Sequence, residues 1–180
     1  MINHDLKCIF VEVPKTGSTS VSSIIGKPAK PHLTIVKIQN QVTKQQFDEY
    51  FKFAFVRNPW DRALSLYRYI LKTPSHYYHK QCLQFVNFSA YLRKRPLLPQ
   101  QYDFLSKHGK NQLNFIGRFE NLQKDFNTVC DKIGIPHQEL PHHNPTKHKH
   151  YTEYYDEETN QIVAEKYAKD IEYFGYKFGE

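Results

Sequence analysis

A short polar segment near the N-terminus contains the residue types that bind an anion. It follows an apolar run and reads Pro14-Lys15-Thr16-Gly17-Ser18-Thr19-Ser20. Backbone N–H groups in such a loop, together with the positive end of a following helix, attract an anion before any side chain contributes. Lys15 adds a full positive charge, and the Ser and Thr hydroxyl groups add hydrogen-bond donors. The segment is therefore a candidate phosphate-binding loop.

The common loop for nucleoside triphosphates differs from this one. That loop reads Gly-x-x-x-x-Gly-Lys-Ser/Thr and supports a magnesium ion at the start of its helix. Here Lys15 precedes the single Gly17, and no Gly-Lys-Ser/Thr run is present. A Pro-led turn into a Ser/Thr-capped helix that binds no ligand has the same residue types. The loop alone therefore leaves both interpretations open.

A second candidate anion site follows the apolar run from Phe51 to Arg57. The run is rich in strand formers and ends at Asn58-Pro59, after which apolar residues recur at helical spacing. We expect Arg57 at the carboxyl end of a strand, where open α/β sheets bind ligands, and Ser65 early in the next helix. The two side chains can grip a phosphate. Alternatively, Arg57 pairs with a carboxylate and Ser65 has no binding role.

Alternating strands and helices must position both candidate sites. Apolar runs predict strands at Lys7–Val13, Phe51–Arg57 and Leu113–Phe119. Helical patterns are found at Ser18–Ile25, Lys44–Tyr50, Pro59–Leu71, Gln81–Arg93, Asn121–Ile133 and Glu157–Asp170. Strands that are each followed by a helix pair in parallel through crossover connections, so the sequence predicts an α/β fold.

Four segments in order resemble the sulfotransferases that use 3′-phosphoadenosine 5′-phosphosulfate (PAPS). They are Pro14–Ser20, Phe55–Tyr67, Ile116–Leu122 and Asp170–Tyr176. The resemblance spans nearly the whole chain and is strongest to the carbohydrate-type branch with its small bacterial relatives. It implies one domain over residues 1–180 with a P-loop-like, three-layer α/β fold, in which helices flank a central, mainly parallel sheet.

The resemblance also implies roles for individual residues. The first loop binds the 5′-phosphosulfate in that family, and Lys15 corresponds to the lysine that steadies the bridging oxygen as the sulfuryl group leaves. Arg57 and Ser65 correspond to the residues that bind the 3′-phosphate. Arg118 and Lys147 are further candidate nucleotide contacts, although a structural ion pair explains Arg118 equally well. The implied cofactor-binding set is Pro14, Lys15, Thr16, Gly17, Ser18, Thr19, Ser20, Arg57, Ser65, Arg118 and Lys147.

A hydroxyl acceptor must lose a proton during sulfuryl transfer, and a neutral imidazole is the usual base near neutral pH. In relatives that use His, it lies between the first loop and the 3′-phosphate strand, which in this chain indicates His32. Glu12 is the alternative, because it stands near the end of the first strand and some sulfotransferases use a carboxylate. The predicted catalytic residues are therefore Lys15 and His32.

Composition and residue spacing disfavour several other classes of protein. The chain has 180 residues and a net charge of +7, but its lysines are scattered, so no nucleic acid partner is expected.

The three cysteines lack metal or redox spacing. His142, His143, His148 and His150 lack a partnering Cys and helical i, i+4 spacing, so no metal is expected. Without a signal-like or membrane-spanning segment, we expect a cytoplasmic protein.

The leading hypothesis is transfer of a sulfuryl group from PAPS, by in-line displacement and without a metal, to a hydroxyl of a carbohydrate or other small acceptor. The product nucleotide is adenosine 3′,5′-bisphosphate (PAP). One alternative is a P-loop kinase-like phosphotransferase, which the absence of a Gly-Lys-Ser/Thr run disfavours. Another is a non-catalytic basic module that binds nucleic acid or sulfated glycans. The sequence leaves the acceptor and the oligomeric state open.

Overall fold

A computed structural model describes residues 1–94, 97–141 and 149–180. The described residues form two compact units. The first unit contains residues 1–57 and 101–141, and the second contains the described residues from 58 to 100 and from 149 onward. Lys147 and three of the four clustered histidines, His142, His143 and His148, lie outside the described residues.

The first unit contains the central sheet. The strands in chain order are β1 (Ile2–Asn3), β2 (Cys8–Val11), β3 (Phe51–Val56), β4 (Ser106–Lys107), β5 (Lys110–Asn111) and β6 (Phe115–Arg118). The sheet order is β1-β2-β3-β6, and β4 and β5 form a separate two-stranded pair. β2, β3 and β6 are parallel, and β1 pairs with β2 in the antiparallel direction. The predicted α/β fold with a mainly parallel sheet is confirmed.

The helices in chain order are α1 (Ser18–Ile25), α2 (Ile35–Gln39), α3 (Lys44–Glu49), α4 (Pro59–Lys72), α5 (His79–Cys82), α6 (Phe88–Lys94), α7 (Gln101–Leu105), α8 (Leu122–Ile133), α9 (Glu157–Lys166) and α10 (Ala168–Phe174). In the first unit, α1 and α8 bury apolar residues against the sheet. The phenyl rings of Phe10 on β2 and Phe53 on β3 stack with their centroids 5.0 Å apart. This buried aromatic layer fixes the strands whose carboxyl ends carry the candidate site.

The second unit is helical and is built around α4. Asn58 caps α4 by accepting a hydrogen bond from the Trp60 N–H, and Pro59 occupies the first turn. This combination is typical of a helix start, because the cap satisfies a free N–H and proline there loses no hydrogen bond. α4 contacts α9 and α6. A buried cluster that includes Leu64, Phe88 and Tyr167 holds these helices together.

Two predicted helices are interrupted in the structure. The helix predicted over 81–93 is divided into α5 and α6, because the Asn87 side chain accepts from the Ala90 N–H and begins a new helix. The helix predicted over 157–170 is interrupted at Tyr167, whose backbone has φ −112° and ψ 25°. Helix α2, helix α7 and the β4–β5 pair were not predicted. Among the described residues, no helix has the length and apolar character required to cross a membrane.

Candidate functional site

The loop between β2 and α1 is shaped by a glycine that no other residue can replace without rearrangement. Gly17 has φ 82°, and a Cβ atom there would lie 2.7 Å from a side-chain carbon of Leu122. As the N-cap of α1, Gly17 provides no side-chain hydrogen bond to the helix. Because the first N–H groups of a helix have no partner within that helix, this end of α1 can bind an anion.

Lys15 lies in this loop with an unusual backbone conformation. Its φ of 70° is in the left-handed region, which residues with a side chain seldom adopt. Burial, with a smaller contribution from the positive charge of Arg57, lowers the pKa of Lys15 to about 8. Its ammonium group is therefore held where a neighbouring anion would stabilise the protonated form.

The hydroxyl groups of the loop have different environments. Thr16 is fully buried, and its hydroxyl donates to the Val13 carbonyl at 2.9 Å, which closes the turn. The Ser20 hydroxyl donates to the Pro141 carbonyl at 2.8 Å. Ser18 is half-buried and Thr19 is exposed, both in the first turn of α1. Two of the four predicted hydroxyl donors thus bond to the protein itself.

Arg57 follows β3 directly and is held by several contacts. Its side chain is stacked 4.0 Å from the ring centroid of Phe119, and its Nη1 donates to the Lys15 carbonyl at 3.3 Å. Its backbone forms a pair of hydrogen bonds with the side chain of Gln101: the Arg57 N–H donates to Oε1 at 2.9 Å, and Nε2 donates to the Arg57 carbonyl at 2.8 Å. Gln101 is 0% exposed and Arg57 is 8% exposed.

Lys15 and Arg57 therefore lie close together at the same edge of the sheet. β2 and β3 are parallel neighbours, so their carboxyl ends meet at this edge. The proximity of two cations is unfavourable in the absence of a counter-charge, and it lowers the pKa of Lys15 as described above. The arrangement is suited to an anionic ligand that contacts both groups.

The other predicted nucleotide contacts are divided between the units. Arg118 ends β6 in register with Val56 of β3, and its N–H donates to Asp125 Oδ2 at 2.6 Å. The preceding residue must be Gly117, since a Cβ there would lie 2.5 Å from the Phe55 ring. Ser65 is half-buried on α4 in the second unit, so its partnership with Arg57 stays a prediction. Lys147 lies outside the described residues.

Both candidate bases lie in the first unit. His32 is exposed, and its Nδ1 lies 3.1 Å from the Glu12 carbonyl oxygen. If Nδ1 carries the proton and donates to this carbonyl, Nε2 is left as an acceptor. Glu12 is 4% exposed, and its Oε1 accepts from the Ser22 hydroxyl at 2.5 Å. The second carboxylate oxygen, Oε2, is buried and has no hydrogen-bond partner within the described part of the chain.

The structure adds site residues that the sequence alone did not single out. Gln101 is 44 residues from Arg57, and no local pattern connects the two. Phe119 lies within the third segment of the family resemblance, but its stacking on Arg57 has no signal in the sequence. Among the residues that the structure describes, no cluster of His, Cys, Asp and Glu side chains is suited to hold a metal ion.

Comparisons with known proteins agree on one family. The sequence profile of the sulfotransferase family matches residues 1–177, across both compact units. An uncharacterized protein of Archaeoglobus fulgidus is 36% identical over 101 residues, which cover 56% of this chain and 82% of that protein. Human carbohydrate sulfotransferase 9 is 30% identical over 154 residues, with 70% of this chain covered. The aligned region spans only 34% of the human protein.

A solved structure shows the same fold. Mouse sulfotransferase SULT7A1, crystallised in complex with PAP, matches with a TM-score of 0.60 and 15% sequence identity. The match covers 95% of this chain and 91% of the mouse chain. This agreement supports the α/β architecture in which helices flank a mainly parallel sheet. Together with the family match over residues 1–177, it leads to one conclusion: the chain belongs to the sulfotransferase family.

Proposed function

We propose that this chain transfers a sulfuryl group from PAPS to a hydroxyl group of a small acceptor. The observation that carries the proposal is the placement of Lys15 and Arg57 at the adjacent ends of β2 and β3. A nucleotide with phosphate groups at both the 5′ and 3′ positions requires two anion contacts, whereas a triphosphate chain requires one long cradle and usually a metal. Two separately held cations fit the first requirement.

On the 5′ side, the loop from Pro14 to Ser20 would hold the phosphosulfate. The features that support this role are the side-chain-free cap at Gly17, the positive end of the α1 dipole and the partly buried ammonium of Lys15. Thr16 would act indirectly, because its hydroxyl is bonded to the Val13 carbonyl and holds the turn. Ser18 and Thr19 are the hydroxyl groups best suited to donate to the ligand.

On the 3′ side, Arg57 would bind the 3′-phosphate. Its guanidinium is a planar donor suited to phosphate, and Phe119 and Gln101 restrict its position. We assign Ser65, Arg118 and Lys147 as further contacts from the family resemblance. The position of Arg118 at the end of β6, next to the end of β3, is consistent with this assignment.

The reaction forms a bond from the acceptor oxygen to sulfur, breaks the bond from sulfur to the bridging phosphate oxygen, and releases PAP and one proton. Lys15 would neutralise the negative charge that grows on the bridging oxygen. Protein groups held in position before the reaction give the largest effect of this kind, and the constrained backbone of Lys15 provides such positioning.

We propose His32 as the base that accepts the proton from the acceptor. Its exposed ring and the Nδ1 contact to the Glu12 carbonyl would leave Nε2 available at the surface. Glu12 is less suited, because it is buried and one of its oxygens is bonded to Ser22. We expect His32→Ala to lower turnover by about 10²- to 10⁴-fold while PAP affinity is retained. Normal turnover in His32→Ala, with loss in Glu12→Gln, would transfer the role to the carboxylate.

We propose a carbohydrate hydroxyl as the acceptor. The support is the similarity to human carbohydrate sulfotransferase 9, of which this chain spans about a third. Screening PAPS turnover against neutral and acidic sugars, with an aryl alcohol as comparison, would test this assignment. Turnover of aryl alcohols alone would contradict it.

The overall proposal is tested by a thermal-shift comparison of PAP, AMP and ATP with magnesium. At about 100 times its Kd, PAP should raise Tm by about 5 to 10 °C. AMP should raise it less because it lacks the 3′-phosphate. A preference for ATP with magnesium would instead indicate a phosphotransferase.

A further inference from the structure

A cavity in the second unit has no role in the proposed function. Its volume is about 420 Å³, within the range of roughly 300 to 1,000 Å³ that small-molecule sites occupy. It is bordered by the C-terminal half of α4, the start of α6 and the Tyr154 side chain. The lining is mainly apolar, with two cations, Arg68 and Lys72.

Aromatic rings form a large part of the cavity wall. Tyr67 and Phe88 lie with their ring centroids 5.4 Å apart and belong to or pack against the buried cluster of this unit. Tyr154 contributes a third ring. Rigid aromatic faces supported by a packed core are suited to bind the face of another ring at small entropic cost.

Arg68 is held against this wall without a carboxylate. Its Nη2 donates to the Tyr154 hydroxyl at 2.6 Å, and its guanidinium carbon lies 4.9 Å from the Tyr154 ring centroid. Within the described ranges, no Asp or Glu forms an ion pair with Arg68. A guanidinium has five N–H donors in a planar fork, so most of them are available to a ligand.

A second cation lies on the same face of α4. Lys72 is four residues beyond Arg68, a spacing at which like charges are destabilising by a few tenths of a kcal/mol. Lys72 lies in the last turn, where the helix dipole favours a cation. Arg68, near the middle of α4, lacks this compensation. An anion in the cavity would relieve the repulsion between the two side chains.

A neutral polar group completes the wall. Asn87 Oδ1 accepts from the Ala90 N–H at 2.9 Å, which fixes the amide orientation. The amide NH₂ is left as a donor. The cavity therefore combines aromatic surface, two cations and one oriented amide.

From these features, we propose that the cavity binds a six-membered ring that carries one carboxylate or sulfate group. Arg68 and Lys72 bind the anionic group, Tyr67 and Phe88 contact the ring face, and Asn87 donates to a ring substituent. All of these groups belong to the second unit, and binding at this cavity is independent of PAPS binding. An acidic sugar and an aryl acid share this chemistry, and the experiment distinguishes them.

The test is an NMR titration of the ¹⁵N-labelled full chain with 4-nitrophenyl β-D-glucuronide and 4-nitrophenyl β-D-glucoside. These ligands differ at one position, a carboxylate against a hydroxymethyl group. The glucuronide should bind about tenfold more tightly, since a hydrogen bond to a charged group contributes about that factor. Its shift changes should concentrate at residues 64–72 and 87–88. Equal affinity, or changes located elsewhere, would overturn the proposal.

Substitutions separate the role of charge from that of fold. Arg68→Met keeps an apolar stem and should lower glucuronide affinity about tenfold. Lys72→Met should lower it by a smaller factor, and this exposed position gives a second variant if Arg68→Met is unstable. Lys80→Met removes one exposed charge from the same unit outside the cavity and should leave affinity unchanged. An equal loss in all three variants would indicate a general charge effect and overturn the site.

Two further ligands identify the ring. Methyl β-D-glucuronide contains only the sugar ring, and benzoate contains only the aromatic ring. At least one of these two ligands should bind to the unsubstituted chain and lose that binding in Arg68→Met. The ligand that binds more tightly shows whether the cavity recognises a sugar ring or an aromatic ring. The PAP-induced rise in Tm, measured on Arg68→Met, reports the nucleotide site independently. If that rise is retained while glucuronide binding fails even in the unsubstituted chain, this inference is wrong and the proposed function is unaffected.

Discussion

Lys15 and Arg57 are neighbouring cations at the edge of the sheet, and the protein holds them in different ways. Lys15 depends on its own loop, where its backbone has φ 70° and Gly17 gives the chain room to turn. Arg57 depends on distant residues, because Gln101 binds its backbone and Phe119 stacks on its side chain. The first position depends mainly on the local backbone, and the second depends mainly on tertiary contacts.

The two cations are therefore suited to different roles. A lysine ammonium held next to the breaking bond can neutralise the charge that develops during transfer, and its pKa of about 8 makes its protonation sensitive to a neighbouring anion. A guanidinium fixed by a ring and an amide is suited to recognise a group that does not react. We therefore expect Lys15 variants to affect turnover most and Arg57 variants to affect nucleotide selectivity most.

The largest effect is expected for Lys15→Met. Loss of one charge that stabilises a transition state typically lowers kcat by about 10²- to 10³-fold. PAP affinity should fall much less, because Gly17 and the end of α1 are unchanged. Steady-state kinetics with PAPS and calorimetry with PAP measure the two quantities. Lys44→Met, at an exposed lysine of α3, is the matched control. A larger loss in binding than in turnover would contradict the assigned role.

Arg57→Met should have the second largest effect. Removal of the charged donors should weaken PAP binding by roughly 10- to 100-fold. AMP binding should change little, since AMP has no 3′-phosphate. Calorimetric titration of both nucleotides gives the ratio of the two affinities. If PAP binding and AMP binding weaken equally, Arg57 does not recognise the 3′-phosphate.

The loop and helix of the first site were predictable because their signals are local. Helix α1 spans the predicted Ser18–Ile25, and β2 lies within the predicted Lys7–Val13. A glycine, a proline and a run of hydroxyl residues determine this local structure over a few positions. Lys15 could therefore be singled out from the sequence as a candidate anion ligand.

The support of Arg57 was not predictable in the same way. Helix α7 has only five residues, too few to give a clear helical period, and its first residue, Gln101, contacts a backbone 44 positions away. Likewise, the predicted 157–170 helix is interrupted at Tyr167, whose ring is buried in the cluster of the second unit. Features that arise from distant contacts leave no periodic pattern in one sequence.

The pH dependence of PAP binding tests the local environment of Lys15. At about pH 7 the ammonium is protonated with or without ligand, whereas above its pKa of about 8 the free protein loses that proton. PAP binding above this pH must then return a proton to Lys15. PAP affinity should therefore fall roughly tenfold per pH unit until the pH reaches the pKa of Lys15 in the complex. Calorimetry at about pH 7 and about pH 9 measures the fall. Lys15→Arg, which stays charged, should flatten the profile, and an unchanged slope in this variant would exclude Lys15 as its source.

The smallest effect is expected for Gln101→Met, which changes only the support of Arg57. Both backbone groups of Arg57 lose their partner, so the free energy of unfolding should fall by about 1 to 3 kcal/mol. PAP affinity should fall several-fold, while AMP affinity is retained. A purely structural role for Gln101 would lower stability without changing the ratio of PAP to AMP affinity. Gln45→Met, at an exposed position of α3, is the matched control.

We propose that two separate anion contacts on this chain recognise one nucleotide. The most direct measurement is a calorimetric comparison of PAP, 5′-AMP and 3′-AMP on the full chain at about pH 7. PAP should bind at least about tenfold more tightly than either monophosphate, because each monophosphate lacks one charged contact. Equal affinity of PAP and 5′-AMP would contradict it, because the site at Arg57 would then contribute nothing.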